Sequence, residues 1–346
     1  MQIAGREIGP GCPPFVVAEL SGNHNGSFEA AAACIRAAKE AGADAVKIQT
    51  YTADTLTIQC DRSEFRIGGG TIWDGRTFYD LYREAHTPWE WQPRLMKIAH
   101  DLGLPLFSTP FDKTAVAFLE RMQVPAYKVA SPEIVDIPLL KCVASTGKPV
   151  ILSTGMATLD EIHEAVAALR ANGSREIALL HCVSAYPAPP EDMNLATIPD
   201  LARVFNCPTG LSDHTVGCAV AVAAVVLGAS IVEKHLTLSR AAGGPDALFS
   251  LEPDEYKALV RSVHEAAAAV GKVSYGLTPS EQASSRGRRS LFVIQDIKKG
   301  EKFTGDNVRS IRPGHGLHPR HYDEVMGKKA ARNIARGEPL EQGMIS

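Results

Sequence analysis

Short apolar runs rich in β-branched residues alternate with amphipathic stretches from residue 14 to about residue 270. Runs of the first kind predict buried strands, and apolar residues spaced three and four apart predict helices. Eight segments have the strand pattern: 15–20, 45–50, 105–109, 126–130, 149–153, 177–182, 209–212 and 230–235. Helical patterns lie between them, for example at 28–41, 114–122, 159–171 and 219–227. The helix at 219–227 is almost wholly apolar, so we expect it to be buried on both sides.

Strict alternation of strand and helix predicts parallel strands joined by crossovers, either in a closed barrel or in a doubly wound open sheet. The polar residues decide between the two, because a barrel gathers its active site at the C-terminal ends of all strands. Nearly every predicted strand ends in such residues: Glu19, Lys47, Gln49, Ser108, Thr109, Lys128, Ser131, Ser153, Thr154, His181, Ser184, Ser212, His214 and His235. We therefore predict an α/β fold, a (β/α)8 TIM barrel, over residues 1–271.

A long insertion, residues 51–87, follows the second predicted strand. It contains the triplet Gly68-Gly69-Gly70 and an aromatic cluster that includes Trp73 and Tyr82. The triplet follows no strand directly, so we interpret it as a flexible loop and not as a phosphate-binding loop. Whether this insertion covers the barrel is left open by the sequence.

The alternating pattern stops at residue 272. Residues 272–290 are rich in Gly, Ser and Arg and predict a linker, and residues 291–346 predict a small second module. Segments 296–301 and 333–338 resemble each other, and each is typical of a strand that enters a glycine turn. A module of this size has a marginal core, so we expect it to dock against a barrel.

Composition excludes several classes of protein. The 346 residues are 45% hydrophobic, and 36 basic against 39 acidic residues give a net charge of −3, which favours neither nucleic acid nor an anionic membrane. The N-terminus has no apolar run of signal-peptide length, and the longest apolar run, 218–232, is too short to span a membrane. The seven cysteines include no C-x-x-C pair and indicate buried thiols in a reducing compartment. We expect a soluble, cytoplasmic protein.

Lys47 and Lys128 occupy inward-type positions on two predicted strands. A buried charge is costly unless an opposite charge compensates it, and each lysine could pair with a carboxylate of the barrel. Hydroxyl groups also stand at the ends of further strands, at Thr109, Ser131, Ser153 and Ser212. Two lysines with several hydroxyl donors suit a small phosphorylated carboxylate, and we favour that interpretation.

His214 and His235 follow the last two predicted strands, which are neighbours in a closed barrel. A single histidine there is more often a hydrogen-bonded core residue, but the pair could share one ion, with Asp213 and Glu233 orienting the rings. Two imidazoles with the remaining positions open suit Mn²⁺ or Mg²⁺ better than structural zinc. Glu19 ends the first strand and could act as a general base for water or as a proton acceptor.

Seven motifs occur along the chain in a specific order. They are AELSGNHNG at 18–26, VKIQT at 46–50, FSTPFD at 107–112, YKVAS at 127–131, LSTGM at 152–156, GLSDHT at 210–215 and EKH at 233–235. With these motifs the chain resembles the sialic acid synthase family of phosphoenolpyruvate-dependent nonulosonic acid synthases, over almost its whole length. In that family a condensing TIM barrel is followed by a small antifreeze-like (SAF) domain, which implies that residues 291–346 form such a domain.

Three further segments resemble one branch of that family, the pseudaminic acid synthases. They are SG at 21–22, YTADT at 51–55, and LY at 81–82 leading into AHTPWEW at 85–91. This likeness implies condensation of phosphoenolpyruvate with 2,4-diacetamido-2,4,6-trideoxy-altrose to give pseudaminic acid and phosphate. The alternative acceptors are those of N-acetylneuraminate and legionaminate synthases.

The family resemblance also implies roles for individual residues. Phosphoenolpyruvate would be held by Lys47, Thr109, Lys128, Ser131, Ser153 and Ser212. The amino sugar would lie near Gln49, Glu133, Tyr186 and Asp246. Glu19 would be the catalytic acid or base, and His214 and His235 would act in catalysis by binding Mn²⁺, with Mg²⁺ or Co²⁺ as alternatives.

The family resemblance also bears on two further positions, Ser184 and Arg312. Ser184 stands where many relatives have an asparagine that touches phosphoenolpyruvate, so its contact is an open question. The segment IRPG at 311–314 matches a motif whose arginine reaches the neighbouring subunit's site, which implies that Arg312 contacts the sugar in a domain-swapped homodimer.

Two other function classes explain less of the sequence. A barrel that condenses phosphoenolpyruvate with a sugar phosphate would need a further Arg/Lys cluster, and the predicted strand ends show no obvious one. A sugar-binding or ice-binding-like protein would account for the C-terminal module alone. It would leave the inward lysines and the paired histidines unexplained.

Overall fold

The computed structural model describes residues 1–346 and divides them into two compact units, Met1–Gly271 and Lys272–Ser346. The strands are β1 Gln2–Ile3, β2 Arg6–Glu7, β3 Phe15–Glu19, β4 Ala45–Thr50, β5 Leu106–Pro110, β6 Tyr127–Val129, β7 Val150–Ser153, β8 Ile177–Cys182, β9 Thr209–Asp213, β10 Ile231–His235, β11 Ser290–Val293 and β12 Val308–Ile311. The α-helices are α1 Phe28–Ala41, α2 Ala53–Leu56, α3 Phe78–Ala85, α4 Gln92–Asp101, α5 Lys113–Met122, α6 Ile137–Ala144, α7 Leu159–Ala171, α8 Thr197–Phe205, α9 Ala219–Val226, α10 Pro253–Val270 and α11 Tyr322–Val325. No helix is long and apolar enough to cross a membrane.

Strands β3 to β10 form a closed barrel in which every neighbouring pair is parallel, and β10 closes onto β3. Each strand is followed by at least one helix before the next strand begins. The predicted (β/α)8 TIM barrel is confirmed. All eight predicted strands are present, and each boundary agrees with the sequence prediction to within one residue.

The outer helices begin where side chains cap them. Ser27 accepts a hydrogen bond from the Ala30 N–H at the start of α1, and Gly42 ends that helix with a φ of 87°. Thr158 and Glu161 form a capping box on α7. These local signals explain why α1 and α7 have the predicted bounds.

Helix α9 corrects one prediction. We expected burial on both sides, but Val226 is 53% exposed and the following Leu227 is 41% exposed. The buried side consists of Ala221, Ala224 and Val225, which pack in the barrel's outer layer. The apolar composition of α9 therefore does not mean that both of its sides are buried within this chain.

The insertion, residues 51–87, contains regular structure that the sequence analysis did not assign. It contains α2 and α3 and a short 3-10 helix, Ser63–Phe65. Its glycine triplet lies in a hydrogen-bonded turn, because the Asp74 carboxylate accepts from the N–H groups of Gly70 and Thr71. The triplet therefore lies in a loop, as predicted, and the loop is held by these two hydrogen bonds.

Period-two alternation divides the barrel interior into an apolar end and a polar end. The apolar layer nearest the strand starts, together with β1 and β2, contains Ile3, Ile8, Phe15, Val17, Ala45, Phe107, Ala126, Ile151, Ala178, Leu180 and Ile231. Two residues further along each strand, the same inward face carries polar side chains. The hydrophobic layer closes the bottom of the barrel and leaves the C-terminal end, here called the mouth, for chemistry.

All seven cysteines are free, although only Cys34 and Cys182 are fully buried. In the second unit, β11 and β12 pair antiparallel over a core that includes Leu291 and Phe303. The two similar segments of this unit meet at a single antiparallel bridge between Ile297 and Ile334. Each segment enters a glycine turn as predicted, but neither forms a regular strand.

Candidate active site

Side chains alternate between the inside and the outside of the barrel along each strand, and this alternation brings the predicted site residues of the barrel to its mouth. Inward positions at the strand ends are held by Glu19, Lys47, Gln49, Thr109, Lys128, Ser153, Cys182, Ser212, Glu233 and His235. The outward positions serve other purposes. Ser108 Oγ is 2.6 Å from Thr50 Oγ1, and His181 Nε2 lies 2.5 Å from the Met193 carbonyl oxygen. Ser108 and His181, which the sequence placed among the strand-end polar residues, therefore do not face the interior.

Lys47 lies between two buried carboxylates. Its Nζ is 2.6 Å from Glu19 Oε2 and 3.0 Å from Glu233 Oε1. Burial disfavours the charged lysine, but the two carboxylates outweigh it and raise the pKa of Lys47. Burial, opposed by Lys47, raises the pKa of Glu19, whereas Lys128 and Lys47 overcome burial and lower the pKa of Glu233. The carboxylate pairing that the sequence left open for Lys47 is present.

Lys128 is less fully compensated. Its Nζ donates to Ser153 Oγ at 2.6 Å and to the Val129 carbonyl at 3.0 Å, and its nearest carboxylate, Glu233, is 3.9 Å away. Burial lowers the pKa of Lys128 to about 8. A buried ammonium group with neutral hydrogen-bond partners and one distant counter-ion can attract an anionic ligand.

Hydroxyl groups surround the lysine pair. Thr109 Oγ1 is 3.4 Å from Lys47 Nζ, and Ser212 Oγ donates to Glu233 Oε1 at 3.3 Å. Ser131 Oγ accepts from the Gly155 N–H at 3.0 Å. These donors and the two ammonium groups lie within the same polar end of the barrel.

Gly155 brings Ser184 into this group. A β-carbon at position 155 would lie 2.6 Å from Ser184 Oγ and 2.8 Å from Ser131 Oγ, closer than real side chains approach. The two serine hydroxyls therefore converge on the space that glycine leaves empty. Ser184 lies among the residues expected to hold the anion, even though it is not the asparagine typical of relatives.

His214 and His235 lie side by side, with ring centroids 5.5 Å apart. His214 Nδ1 is 3.1 Å from the Val183 carbonyl oxygen, which can only accept, so Nδ1 carries the proton and Nε2 keeps its lone pair. His235 Nδ1 is buried and has no hydrogen-bond partner. Burial and the neighbouring His214 hold the pKa of His235 well below its usual value.

These features fit a divalent metal. Two buried imidazoles with free lone pairs, one with an unpartnered ring nitrogen, are suitable nitrogen ligands. No cluster of three or more His, Cys, Asp or Glu side chains is available for a closed all-protein site. Any bound ion would therefore keep positions for water or substrate oxygen.

The predicted orienting role of two acidic residues is wrong. Asp213 Oδ2 is paired with the buried Lys234 Nζ at 2.6 Å, and Asp213 Oδ1 accepts from Thr215. Glu233 faces Lys47. Asp213 occupies an outward position by strand parity, and the His214 ring is held instead by the Val183 carbonyl.

The four residues expected near an amino sugar come from alternate strands around the barrel: Gln49 lies on β4, Glu133 follows β6, Tyr186 follows β8 and Asp246 follows β10. Gln49 Nε2 donates to Ser21 Oγ at 3.0 Å, and Asp246 Oδ2 accepts from the Gly22 N–H at 3.3 Å. The Tyr186 ring is 4.3 Å from that of His214. 

The two acids among these four residues, Glu133 and Asp246, are protonated more readily than usual. Burial raises the pKa of Glu133 to about 7, and one of its carboxylate oxygens is buried without a partner. Burial likewise raises the pKa of Asp246. Arg312 belongs to the second unit, where it is exposed and has no carboxylate partner.

Sequence reasoning gave Glu233 the wrong partner and missed Cys182 and Trp73 at the mouth. Glu233 contacts both lysines, and its position two residues before His235 on the same strand could have revealed it. Cys182 Sγ lies 3.8 Å from His214 Nδ1, and His214 together with Lys128 overcomes burial to lower the pKa of Cys182 to about 7. Trp73 of the insertion donates from Nε1 to the Pro245 carbonyl at 2.9 Å, and no sequence signal indicated that contact.

Comparisons with known proteins show the family and the two domains of the chain. The NeuB family model matches residues 34–275, and the SAF domain model matches residues 288–346. The pseudaminic acid synthase of Campylobacter jejuni is 45% identical over 95% of this chain and 96% of that protein. The N,N'-diacetyllegionaminic acid synthase of Legionella pneumophila is 35% identical over 94% of this chain and 93% of that protein. The crystal structure of the spore coat polysaccharide biosynthesis protein spsE from Bacillus subtilis superimposes with a TM-score of 0.68 at 35% identity, covering 100% of this chain and 99% of that one.

Proposed function

The chain belongs to the NeuB family and is an enzyme, and from that premise we propose that it condenses phosphoenolpyruvate with 2,4-diacetamido-2,4,6-trideoxy-altrose to form pseudaminic acid and phosphate. The observation that carries the proposal is the group of Lys47, Lys128 and converging hydroxyls beside the paired His214 and His235. The 45% identity to a pseudaminic acid synthase, against 35% to a legionaminic acid synthase, supports this choice of acceptor.

Phosphoenolpyruvate would bind through Lys128 and the hydroxyls next to it. Ser153 already accepts from Lys128 Nζ, and Ser131 and Ser184 converge on Gly155. An incoming phosphate or carboxylate oxygen can replace these neutral partners with charge-assisted hydrogen bonds. The lysine then gains the counter-ion that it lacks in the free protein.

His214 and His235 would hold a divalent metal, for which we propose Mn²⁺, with Mg²⁺ and Co²⁺ as alternatives. When bound there, such an ion supplies Lewis acidity that polarises a carbonyl oxygen. The role of the chain itself is to keep the His235 imidazole neutral and to fix the His214 ring through its Val183 hydrogen bond. 

Glu19 would act as the general base. Carbon 3 of phosphoenolpyruvate attacks the aldehyde carbon of the open-chain sugar, whose oxygen takes up a proton and becomes a hydroxyl, and water adds at carbon 2. Glu19 takes the proton from that water, and the tetrahedral centre then expels phosphate to leave the 2-keto acid. Lys47, 2.6 Å from Glu19 Oε2, keeps this carboxylate in place within the buried pocket.

The acceptor would lie between the histidine pair and the residues Gln49, Glu133, Tyr186 and Asp246. These residues combine carboxyl and amide groups with one aromatic ring, which suits an N-acylated amino sugar. We also propose a domain-swapped homodimer in which Arg312 of the partner subunit contacts the acceptor. The support is the exposure of this arginine and its lack of an acidic partner. Size measurement in solution and the activity of Arg312→Ala test that part.

A phosphate-release assay tests the reaction. The protein is incubated with phosphoenolpyruvate, Mn²⁺ and, in separate reactions, the diacetamido trideoxy altrose, N-acetylmannosamine and the acceptor of legionaminate synthesis. We expect release with the altrose at the highest kcat/KM. Preference for either of the other sugars would reassign the acceptor, and no release with any of the three would overturn the enzyme assignment.

A further inference from the structure

Trp73 reaches from the insertion to the mouth of the barrel. Its indole Nε1 donates to the Pro245 carbonyl at 2.9 Å, and its ring centroid is 5.4 Å from that of Tyr186, with a tilt of 53° between the planes. The Tyr186 ring is in turn 4.3 Å from His214. A row of three rings therefore leads from the histidine pair to the insertion.

The turn that carries Trp73 is fixed before any ligand arrives. Asp74 accepts from the Gly70 N–H at 2.9 Å and from the Thr71 N–H at 2.8 Å. The bond to Pro245 sets the orientation of the indole. A side chain held in this way loses little freedom when a ligand packs against it.

The indole offers apolar surface and no free hydrogen-bonding group. Its one polar atom, Nε1, is already engaged by the Pro245 carbonyl. Tyr186 continues this aromatic surface toward the mouth, and its ring packs on the buried Phe249, 5.1 Å away between centroids. Aromatic faces of this kind stabilise C–H-rich parts of a ligand, whereas a hydroxyl pressed against them loses its water without replacement.

We propose that Trp73 is a specificity-determining residue that packs against the deoxy, methyl-bearing end of the acceptor. This inference rests on the proposed function, in which the aldehyde end lies at His214 and His235. The other end of the open-chain sugar then points along the row of rings toward the insertion. Trp73 thereby favours 6-deoxy N-acylated amino sugars over sugars that carry a hydroxymethyl group at that end.

Trp73→Ala and Trp73→Phe test the proposal, with Trp89→Phe as the matched control. Trp89 also belongs to the region after β4 and also donates from Nε1 to a carbonyl, that of Tyr51 at 3.1 Å, but its ring packs on Phe118. For Trp73→Ala we expect kcat/KM for the 6-deoxy acceptor to fall about ten- to a hundredfold, mainly through KM, as for other losses of apolar contact in a binding pocket. The KM for phosphoenolpyruvate should stay within about twofold, and Trp73→Phe should fall between wild type and Trp73→Ala.

Trp73 could recognise the 6-deoxy end of the acceptor or could simply cover the mouth for any sugar. The ratio of kcat/KM for the 6-deoxy acceptor to that for N-acetylmannosamine separates these two roles. It should fall in Trp73→Ala and stay unchanged in Trp89→Phe. An equal loss for both sugars, or a matching rise in the KM for phosphoenolpyruvate, would overturn the proposal.

Acceptor binding followed by tryptophan fluorescence gives a second measurement that is independent of turnover. The signal change on adding the 6-deoxy acceptor should vanish in Trp73→Phe and persist in Trp89→Phe, and a change that persists in Trp73→Phe would also overturn the proposal. Failure of the proposed function is a different result, since wild-type protein would then release no phosphate with any acceptor.

Discussion

Raising the pH should weaken phosphoenolpyruvate binding through Lys128. Its buried Nζ has two neutral hydrogen-bond partners, and its nearest carboxylate, Glu233, is 3.9 Å away. Burial therefore lowers the pKa of Lys128 to about 8. Lys47 has carboxylate oxygens at 2.6 Å and 3.0 Å, which raise its pKa, so it stays charged over the same range. Lys128 is the lysine that loses its charge first.

The size of the effect follows from that pKa. A group with a pKa of about 8 is roughly nine-tenths charged at about pH 7 and roughly one-tenth charged at about pH 9. If the anion binds only the charged form, its association constant falls about tenfold over this interval, or about 1.4 kcal/mol. The association constant falls, and does not rise, with increasing pH, because a bound anion stabilises the ammonium form of Lys128 and raises its pKa in the complex. A phosphate monoester has lost its second proton near about pH 6, so the ligand itself does not titrate in this window.

Calorimetric titration of phosphoenolpyruvate, without acceptor, from about pH 6.5 to about pH 9.5 measures this loss. Lys128→Arg keeps its charge throughout, so we expect weaker binding at neutral pH from the altered geometry and a much smaller alkaline decline, to which Glu133 and Cys182, each with a pKa of about 7, still contribute. Lys141→Arg, on the outer helix α6, is the matched control and should behave as wild type. A tenfold alkaline loss that persists in Lys128→Arg would assign the titration to another group. Constant wild-type affinity to about pH 9.5 would refute the reasoning.

Three further substitutions probe other parts of the site. Glu19→Gln should lower kcat about 10²- to 10⁴-fold in the phosphate-release assay, because it removes the proton acceptor, and an unchanged kcat would exclude Glu19 as the base. His235→Ala should cost several kcal/mol of transition-state stabilisation and weaken Mn²⁺ binding measured by titration, and wild-type turnover with added metal would contradict the metal assignment. Gly155→Ala places a β-carbon 2.6 Å from Ser184 Oγ and 2.8 Å from Ser131 Oγ, so we expect a higher KM for phosphoenolpyruvate and a loss of about 1–3 kcal/mol of stability in denaturant unfolding. An unchanged KM there would place the anion elsewhere.

The barrel was predictable because the strand pattern and the helix pattern of hydrophobic residues alternate so regularly along the chain. Strands such as β4 and β8 have the predicted bounds, since their apolar runs are short and end sharply. Helices α1 and α7 were equally predictable, because Ser27 and Thr158 cap them. Helix α3 in the insertion was missed. Thr77 caps this helix and is a local signal for its start. The helix follows a glycine-rich turn, however, and the hydrogen bonds from this turn to Asp74 produce no recognisable pattern in the sequence.

The candidate site was predictable to the extent that strand parity defines it. Alternation placed Lys47 and Lys128 inward, and the same rule applied to β10 would have placed Glu233 inward beside them. Contacts between distant segments were not predictable. The bond between Trp73 and the Pro245 carbonyl joins residues 172 positions apart, and neither residue carries a signal for the other. The group that orients the His214 ring was misassigned for the same reason, since the sequence does not indicate which backbone carbonyl a side chain contacts.

The charges at the mouth explain why two lysines alone cannot account for anion binding. The mouth contains four carboxyl groups, those of Glu19, Glu133, Glu233 and Asp246. Lys47 is already neutralised by two of them, which leaves Lys128 as the only lysine with an incomplete set of partners. Phosphoenolpyruvate brings further negative charge into this buried space, and an uncompensated charge there is very costly. Burial raises the pKa values of Glu133 and Asp246, which favours their uncharged forms and so opposes this accumulation of negative charge. The proposed cation at His214 and His235 would offset more of it, so phosphoenolpyruvate should bind more tightly when the divalent metal is present.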